Sequence, residues 1–372
     1  MVTFYLLFGI VYGVLILILS SLWKQDLLSD FQYGSKASVT VIIPFRNEEA
    51  NLVRLFDSIK RLTFRPFQVI FVNDRSQDKG RDILEDLIEH NRDVDIQFVM
   101  LDNEGEGKKE AIKTAIKNAI GNCILTTDAD CILPQNWVEI TLAQLSRPHV
   151  RMAAGPVMTL GGNSFFDHFQ QIEWASILLI TQAGFEWGNP IMCSAANMAY
   201  EKSAFVEAKP YESNLGHLSG DDEFLLKKIH SSYGAEAIVY IISNLVWTNP
   251  QGSWKELFSQ RIRWVSKWKL HDSLSHTLFS IVPWLIQVVF ISSIALPFQG
   301  KTGLIVFAFL WISKTSVEWR VLGKILQSFG IHHGALAYFL TSIIHPFYVF
   351  FIGCGSLTGK YQWKGRSSSQ LP

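Results

Sequence analysis

Two carboxylates one residue apart, Asp128 and Asp130 in Thr126-Thr127-Asp128-Ala129-Asp130, form the densest chemistry in this sequence. On extended backbone, residues i and i+2 point to the same side. Both acids can therefore converge on one divalent cation. Mg²⁺ and Mn²⁺ take oxygen ligands and are commonly shared between protein carboxylates and substrate phosphates. Such an ion would neutralise a diphosphate as it leaves. The bland reading is a loop with helix-capping aspartates, and the apolar run 123–127 just before the acids argues against it.

Four further clusters carry chemistry. In Val72-Asn73-Asp74-Arg75-Ser76-Gln77-Asp78, Asp78 reads as the cap of the next helix, which leaves Asp74 able to accept hydrogen bonds from a base or ribose. In Gly105-Glu106-Gly107-Lys108, glycines ahead of a helix allow close approach of a ligand, and Lys108 adds positive charge. In Gly220-Asp221-Asp222-Glu223 the acids suit the start of a helix, and beside a metal-diphosphate site one of them can act as general base. In Gln260-Arg261-Ile262-Arg263-Trp264, a helix would put Gln260, Arg263 and Trp264 on one face. Arg263 can pair with phosphate, and Trp264 can stack on a sugar or line an acceptor channel. The competing reading is an interfacial amphipathic helix with Arg261, Lys267, Trp268 and Lys269 at the lipid headgroups, and both can hold together.

These residues need a frame. Apolar runs at 39–44, 68–72, 96–101 and 123–127 read as buried strands. Amphipathic stretches at 48–60, 78–88 and 109–120 read as helices between them, with Leu52, Leu55, Phe56 and Ile59 on one face of the first. This alternation predicts a mostly parallel sheet with helices on its faces. Ligands in such sheets bind at the carboxyl ends of the strands, where Asn47-Glu48, Asn73-Asp74 and Asp128-Ala129-Asp130 stand. Further on, 163–181 and 216–229 read as helices, 237–246 as a strand and 254–270 as the amphipathic helix.

Residues 1–23 carry no charge before Lys24, and about 20 apolar residues cross a bilayer. A cleaved signal peptide needs a basic start and a small-residue cleavage site, and this segment has neither, so it reads as an uncleaved anchor. Lys24 then places the following chain in the cytosol. Residues 276–298 and 334–354 are each long enough to span. The apolar run 304–313 is shorter: a tilted span continuing toward Val321, or a re-entrant or interfacial piece. Arg320 and Lys324 precede the last span, and Lys360, Lys364 and Arg366 follow it, which leaves the side of the C-terminal end open.

The expected organisation is an anchor at 1–23, a catalytic domain at 37–252 and an interfacial helix at 253–274. A membrane region at 275–355 and a polar tail at 356–372 complete it. The chain has 372 residues, with 33 basic and 33 acidic side chains. A zero balance excludes the basic excess of a nucleic-acid binder. Cys123, Cys131, Cys193 and Cys354 form neither a CxxC pair nor a zinc-ligand set and read as reduced thiols.

In order and spacing these motifs resemble the membrane-bound branch of the family 2 glycosyltransferases, over about residues 37–270. That branch includes cellulose, chitin and hyaluronan synthases and ceramide glucosyltransferases. The resemblance rests on Ile42-Ile43-Pro44-Phe45-Arg46-Asn47-Glu48 as the opening strand and on Asp74. It also rests on Lys108 followed by Ala111-Ile112, on Asp128 and Asp130, on Asp221-Asp222 with Leu225, and on Gln260, Arg263 and Trp264 as QxxRW. Two positions depart from the family pattern: Asn73-Asp74-Arg75-Ser76 stands for Asp-Asp-Gly-Ser, and Asp221 for Glu.

The resemblance implies an α/β GT-A fold flanked by transmembrane helices, and an inverting transfer from a nucleotide-sugar donor, by default a UDP-sugar. It assigns the donor to Pro44, Asn47, Glu48, Asp74, Lys108, Asp128, Gln260 and Trp264. It assigns Mg²⁺ or Mn²⁺ to Asp128 and Asp130, the base to Asp222 and leaving-group stabilisation to Arg263. The implied location is a multi-pass cell-membrane protein with a cytosolic catalytic domain. Few spans and a short tail favour a lipid or lipid-linked acceptor over a processive polysaccharide synthase, which needs a channel. A non-catalytic sensor or scaffold would have lost metal or base carboxylates, and none is lost.

Overall fold

The computed structural model describes residues 1–24, 37–212, 220–266, 274–357, 361–363 and 366–368. The chain forms two compact units. One comprises residues 25–160 and 184–249, and the other residues 1–24, 161–183 and 250–372.

The first unit is built on a seven-stranded sheet. Its elements begin with β1 (Val39–Phe45), α2 (Glu49–Lys60), β2 (Phe67–Asn73), α3 (Gly80–Glu89), β3 (Ile96–Asp102), α4 (Lys108–Asn118) and β4 (Cys123–Thr126). They continue with α5 (Trp137–Leu145), β5 (Met152–Ala154), β6 (Val157–Thr159), β7 (Met198–Glu201), α7 (Lys202–Ala208), α8 (Asp221–Tyr233), β8 (Ile238–Tyr240) and β9 (Val246–Thr248). The strand order is β3-β2-β1-β4-β7-β5-β8. β3, β2, β1 and β4 run parallel, and β7 is antiparallel to both β4 and β5. β6 and β9 pair separately in a two-stranded sheet.

The parallel half follows from its sequence. β2 is buried at every position, as expected of a strand covered on both faces. α2 buries Leu52, Leu55, Phe56 and Ile59, the face expected from periodicity. Phe56 stacks on Phe98 at 4.9 Å between ring centroids and on Phe71 at 6.4 Å, which ties α2 to β2 and β3. The parallel strands all end at the edge from which the 45–49, 73–80, 102–108 and 127–131 loops emerge.

The expected strand at 237–246 is instead two short strands, β8 and β9, joined by a buried turn. The turn is set by Asn244, fully buried, whose amide donates to Trp137 O at 3.1 Å and to Thr141 Oγ1 at 2.9 Å. Its carbonyl accepts from Asn197 Nδ2 at 2.6 Å. These partners lie far away in sequence and override the local apolar pattern.

The second unit contains α1 (Val2–Ser21), most of α6 (Phe165–Glu186), α9 (Trp254–Val265), α10 (Leu274–Ser292), α11 (Lys301–Ser328) and α12 (Ala335–Leu357). Among the described residues three segments are long and apolar enough to cross a membrane: Val2–Ser21, Ile281–Gln299 and Ala335–Leu357. The short run expected at 304–313 is part of the 28-residue α11.

α1 and α11 run parallel and in register. Gln299 Nε2 donates to Met1 Sδ at 3.3 Å, Tyr12 OH to Glu318 at 2.5 Å, and Trp23 Nε1 to Ser328 Oγ at 3.2 Å. Lys314, fully buried, donates to both Glu318 oxygens at 2.7 Å and to the Ser342 carbonyl and hydroxyl at 3.0 Å. A buried charge persists only when paired and hydrogen-bonded, and this cluster satisfies the condition while linking α1, α11 and α12.

Candidate active site

The nucleoside side of the site forms where β1 and β2 end. Asp74, buried, follows β2 directly, and its amide bonds to Phe45 O at 2.9 Å. Its Oδ1 accepts from the Gly107 amide at 3.0 Å and from Asn103 Nδ2 at 2.8 Å. Asp74 thereby ties the β2–α3 loop to the loop that opens α4. Gly107 has φ of 89°, a conformation that favours glycine. Asn47, at φ of 52°, accepts from the Gln77 amide at 2.8 Å, while its own amide donates to Ser76 Oγ at 3.2 Å. Asp78 Oδ1 accepts from the Gly80 amide at 3.1 Å and Oδ2 from the Glu49 amide at 2.8 Å. It serves the starts of α3 and α2 together, more than the single cap expected. Glu48 precedes α2 and accepts from Asn51 Nδ2 at 2.6 Å, and Pro44 is partly exposed at the end of β1.

The charged centre lies where β4 ends. Lys108, the first residue of α4, places its ammonium 2.5 Å from Asp128 Oδ1 and 3.3 Å from Asp221 Oδ2. Burial alone would lower the Lys108 pKa. The Asp128 and Asp221 carboxylates outweigh it, Asp222 adds to their field, and the ammonium is held well above its usual range. Asp221 is 7 % exposed at its side chain. Its Oδ2 makes the ion pair without hydrogen-bond geometry, so that buried oxygen keeps acceptor capacity. Asp222 is partly exposed and accepts from the Glu223 amide at 2.8 Å. Asp130 accepts from Thr248 Oγ1 at 3.1 Å. Burial first, then Asp130 and Asp128, push the Cys131 thiol up, a sign of dense negative charge around the pair.

Among the described residues no group of three or more His, Cys, Asp or Glu is spaced to hold a metal. The donors present are hard carboxylate oxygens of Asp128 and Asp130. They fit Mg²⁺ or Mn²⁺ when substrate phosphates complete the shell, the usual arrangement for a small hard cation.

Sequence reasoning missed Asn103 and Thr248, since nothing in their local sequence indicates that they orient Asp74 and Asp130. It also misread Arg261. That side chain does not face headgroups. It is 4 % exposed, and Nε and Nη2 reach Glu173 of α6 at 2.7 and 2.5 Å. Its guanidinium lies 4.1 Å from the Trp264 ring centroid and 5.1 Å from that of Trp174. The buried Glu173 carboxylate draws the cation inward, where it lies against two indole rings. Gln260, Arg263 and Trp264 belong to α9 in the membrane-helix unit, whereas Asp74, Lys108, Asp128, Asp130, Asp221 and Asp222 belong to the sheet unit.

Residues 40–208 match the family model described as glycosyl transferase family 2. The chain is 24% identical over 261 residues to glycosyltransferase GlyA of Streptococcus pneumoniae serotype 4, covering 64% of this chain and 34% of that protein. It is 32% identical over 95 residues to an undecaprenyl-phosphate 4-deoxy-4-formamido-L-arabinose transferase of Pseudomonas paraeruginosa, covering 25% of this chain and 27% of that one. The chain spans 34% and 54% of the lengths of the two curated relatives that head the comparison. Among solved structures it shares its fold with the mannosyltransferase PcManGT of Pyrobaculum calidifontis, determined with GDP-Man and Mn²⁺. The TM-score is 0.56 at 17% identity, covering 95% of this chain and 93% of that one.

Proposed function

We propose that this chain, whose residues 40–208 are a glycosyl transferase family 2 domain on a GT-A fold, transfers a sugar from a nucleotide-sugar donor to a lipid or lipid-linked acceptor at the membrane, with inversion. The observation that carries this reading is the convergence of Asp128 and Asp221 on Lys108. It brings the diphosphate-binding acids beside the acids that start α8, so that leaving group and base can act on one sugar.

In this reading Asp74 receives the nucleoside at the mouth of the β1 and β2 loops. Lys108 contributes a fixed positive charge, and its strong pairing keeps it protonated for a diphosphate. A divalent cation on Asp128 and Asp130 would supply Lewis-acid neutralisation of that diphosphate when bound. Asp222, partly exposed where Asp221 is buried, is the acid able to meet an acceptor hydroxyl and take its proton. Arg263 stabilises the departing nucleotide and Trp264 serves the acceptor side. The undecaprenyl-phosphate for which the Pseudomonas relative is named supports a lipid acceptor, as do the three apolar helices. The donor is a UDP-sugar by motif, and the GDP-Man held by the fold neighbour makes GDP-sugars the next to test. The anchor followed by Lys24 gives the catalytic domain a cytosolic side.

The test is purified full-length protein with membrane lipid extract and a panel of UDP- and GDP-sugars. The expected result is nucleoside-diphosphate release with one donor and a single-sugar lipid product. Release with no donor would overturn the enzyme reading, and long polysaccharide would replace the acceptor assignment.

A further inference from the structure

The cytosolic end of α11 carries a groove of about 450 Å³ that the transfer reaction does not use, lined by Ser316, Trp319, Arg320, Gly323, Lys324 and Gln327. Neither Arg320 nor Lys324 forms an ion pair among the described residues, although Lys324 Nζ donates to the Ser20 carbonyl at 3.2 Å. The nearest acid in the helix, Glu318, is already taken by Lys314, Tyr12 and Ser342. Residues four apart on a helix share a face, so two unneutralised cations open on one side of this groove.

Depth is fixed by the register with α1. Ser20 lies against Lys324 and Trp23 against Ser328, so the groove is level with the polar end of the N-terminal anchor. Trp319 is 47 % exposed there, as befits an indole at the membrane–water boundary. Toward the bilayer centre the same stripe of α11 continues into Ile312 and Phe309, 66 % and 43 % exposed. A phosphate and an apolar chain are thus offered adjoining surfaces in the order in which a lipid presents them.

We infer that this groove binds the phosphate of an anionic membrane lipid, with Arg320 and Lys324 on the phosphate, Trp319 at the headgroup and the acyl chain along Ile312 and Phe309. Gly323 lies in its floor, where a Cβ would meet the Tyr338 hydroxyl at 3.4 Å. The site would fasten the helical unit to anionic membrane, and it stands whether or not the transferase reading does.

The experiment is native mass spectrometry of the full chain in detergent, titrated with phosphatidylglycerol and phosphatidylcholine of matched acyl chains. The wild type is expected to prefer phosphatidylglycerol by about thirty-fold, from two surface cations. Arg320→Gln with Lys324→Gln should bring it down to the phosphatidylcholine level. A charge-matched control, Arg92→Gln with Lys117→Gln, should keep the preference, and Arg320→Lys should keep most of it. Both groove side chains are exposed, so an unchanged melting curve is expected. A double variant that retains the preference, or a control that loses it equally, overturns the site. Displacement of the lipid by millimolar inorganic phosphate would show a site for free anions and overturn the lipid assignment.

Discussion

In the proposed reaction single residues divide the site into a metal-and-phosphate side and a proton-transfer side, and the two can be separated experimentally. Asp130→Asn removes one anionic oxygen from the proposed cation while hardly changing volume. Turnover should fall by orders of magnitude with the protein still folded. EDTA should do the same to wild type, and added Mn²⁺ or Mg²⁺ should restore it, so full activity in EDTA would end the metal assignment. Asp222→Asn should instead leave donor affinity nearly intact and cost about a hundred-fold to ten-thousand-fold in transfer. Its neighbour should behave differently. Asp221 is buried against Lys108, so Asp221→Asn should appear chiefly as lost stability, roughly 1–3 kcal/mol, in a denaturant titration. If the acids only complement the helix dipole, each change should cost well under about 1 kcal/mol and leave activity alone. Calorimetric nucleotide affinity and a transfer assay on each variant decide between these outcomes. Near-normal transfer by Asp222→Asn would mean the base is elsewhere.

At the scale of elements, the helix pair α6 and α9 depends on one buried ion pair. Arg261 and Glu173 are 4 % and 6 % exposed at their side chains, and Tyr348 OH of α12 donates to the same carboxylate at 3.4 Å. Arg261→Ala would leave Glu173 buried without its cation, a loss of about 3–5 kcal/mol. Arg263→Ala, from a partly exposed position two residues on, should change stability little. Thermal unfolding in detergent checks the pair, and equal losses would mean the buried bridge carries no special weight. This contrast also marks how far elements could be read in advance. β1, β2, α2 and α4 were legible to within one or two residues, because apolar runs and 3.6-residue periodicity state their burial locally. The positions of Asp74, Lys108, Asp128 and Asp222 after strand ends or at helix starts were legible from the same local patterns. Arg261 and Asn244 were not. Both are polar residues drawn inward by Glu173, Trp137 or Thr141, and no local pattern shows a partner that distant. The Lys108 bridge was missed for the same reason: its two acids, Asp128 and Asp221, come from two separate segments.

For the whole molecule, contacts and hydropathy give different maps of the membrane region. Composition selects α12 as a span and passes over α11, which carries Lys314, Glu318, Arg320 and Lys324. Yet α11 parallels α1 from Met1 beside Gln299 to Trp23 beside Ser328, so it traverses whatever depth α1 traverses. Its two central charges neutralise each other, which lowers the cost of crossing. α12 behaves otherwise. Tyr338 stacks on Trp319, in the C-terminal half of α11, at 6.2 Å. Fifteen residues on, roughly 22 Å along the helix, Gly353 lies against Trp284 near the middle of α10. In between, Tyr348 packs on Phe258 of α9 at 5.0 Å between ring centroids. Between Tyr338, beside Trp319, and Ser342, beside the central Lys314 and Glu318, α12 descends along α11 in the opposite direction. The basic residues Lys360, Lys364 and Arg366 favour a C-terminal end on the same side as Lys24. A green fluorescent protein fused after Pro372 should fluoresce in a bacterial host, and alkaline phosphatase at the same point should be inactive. Active phosphatase with a dark fluorescent fusion would place the C-terminal end outside.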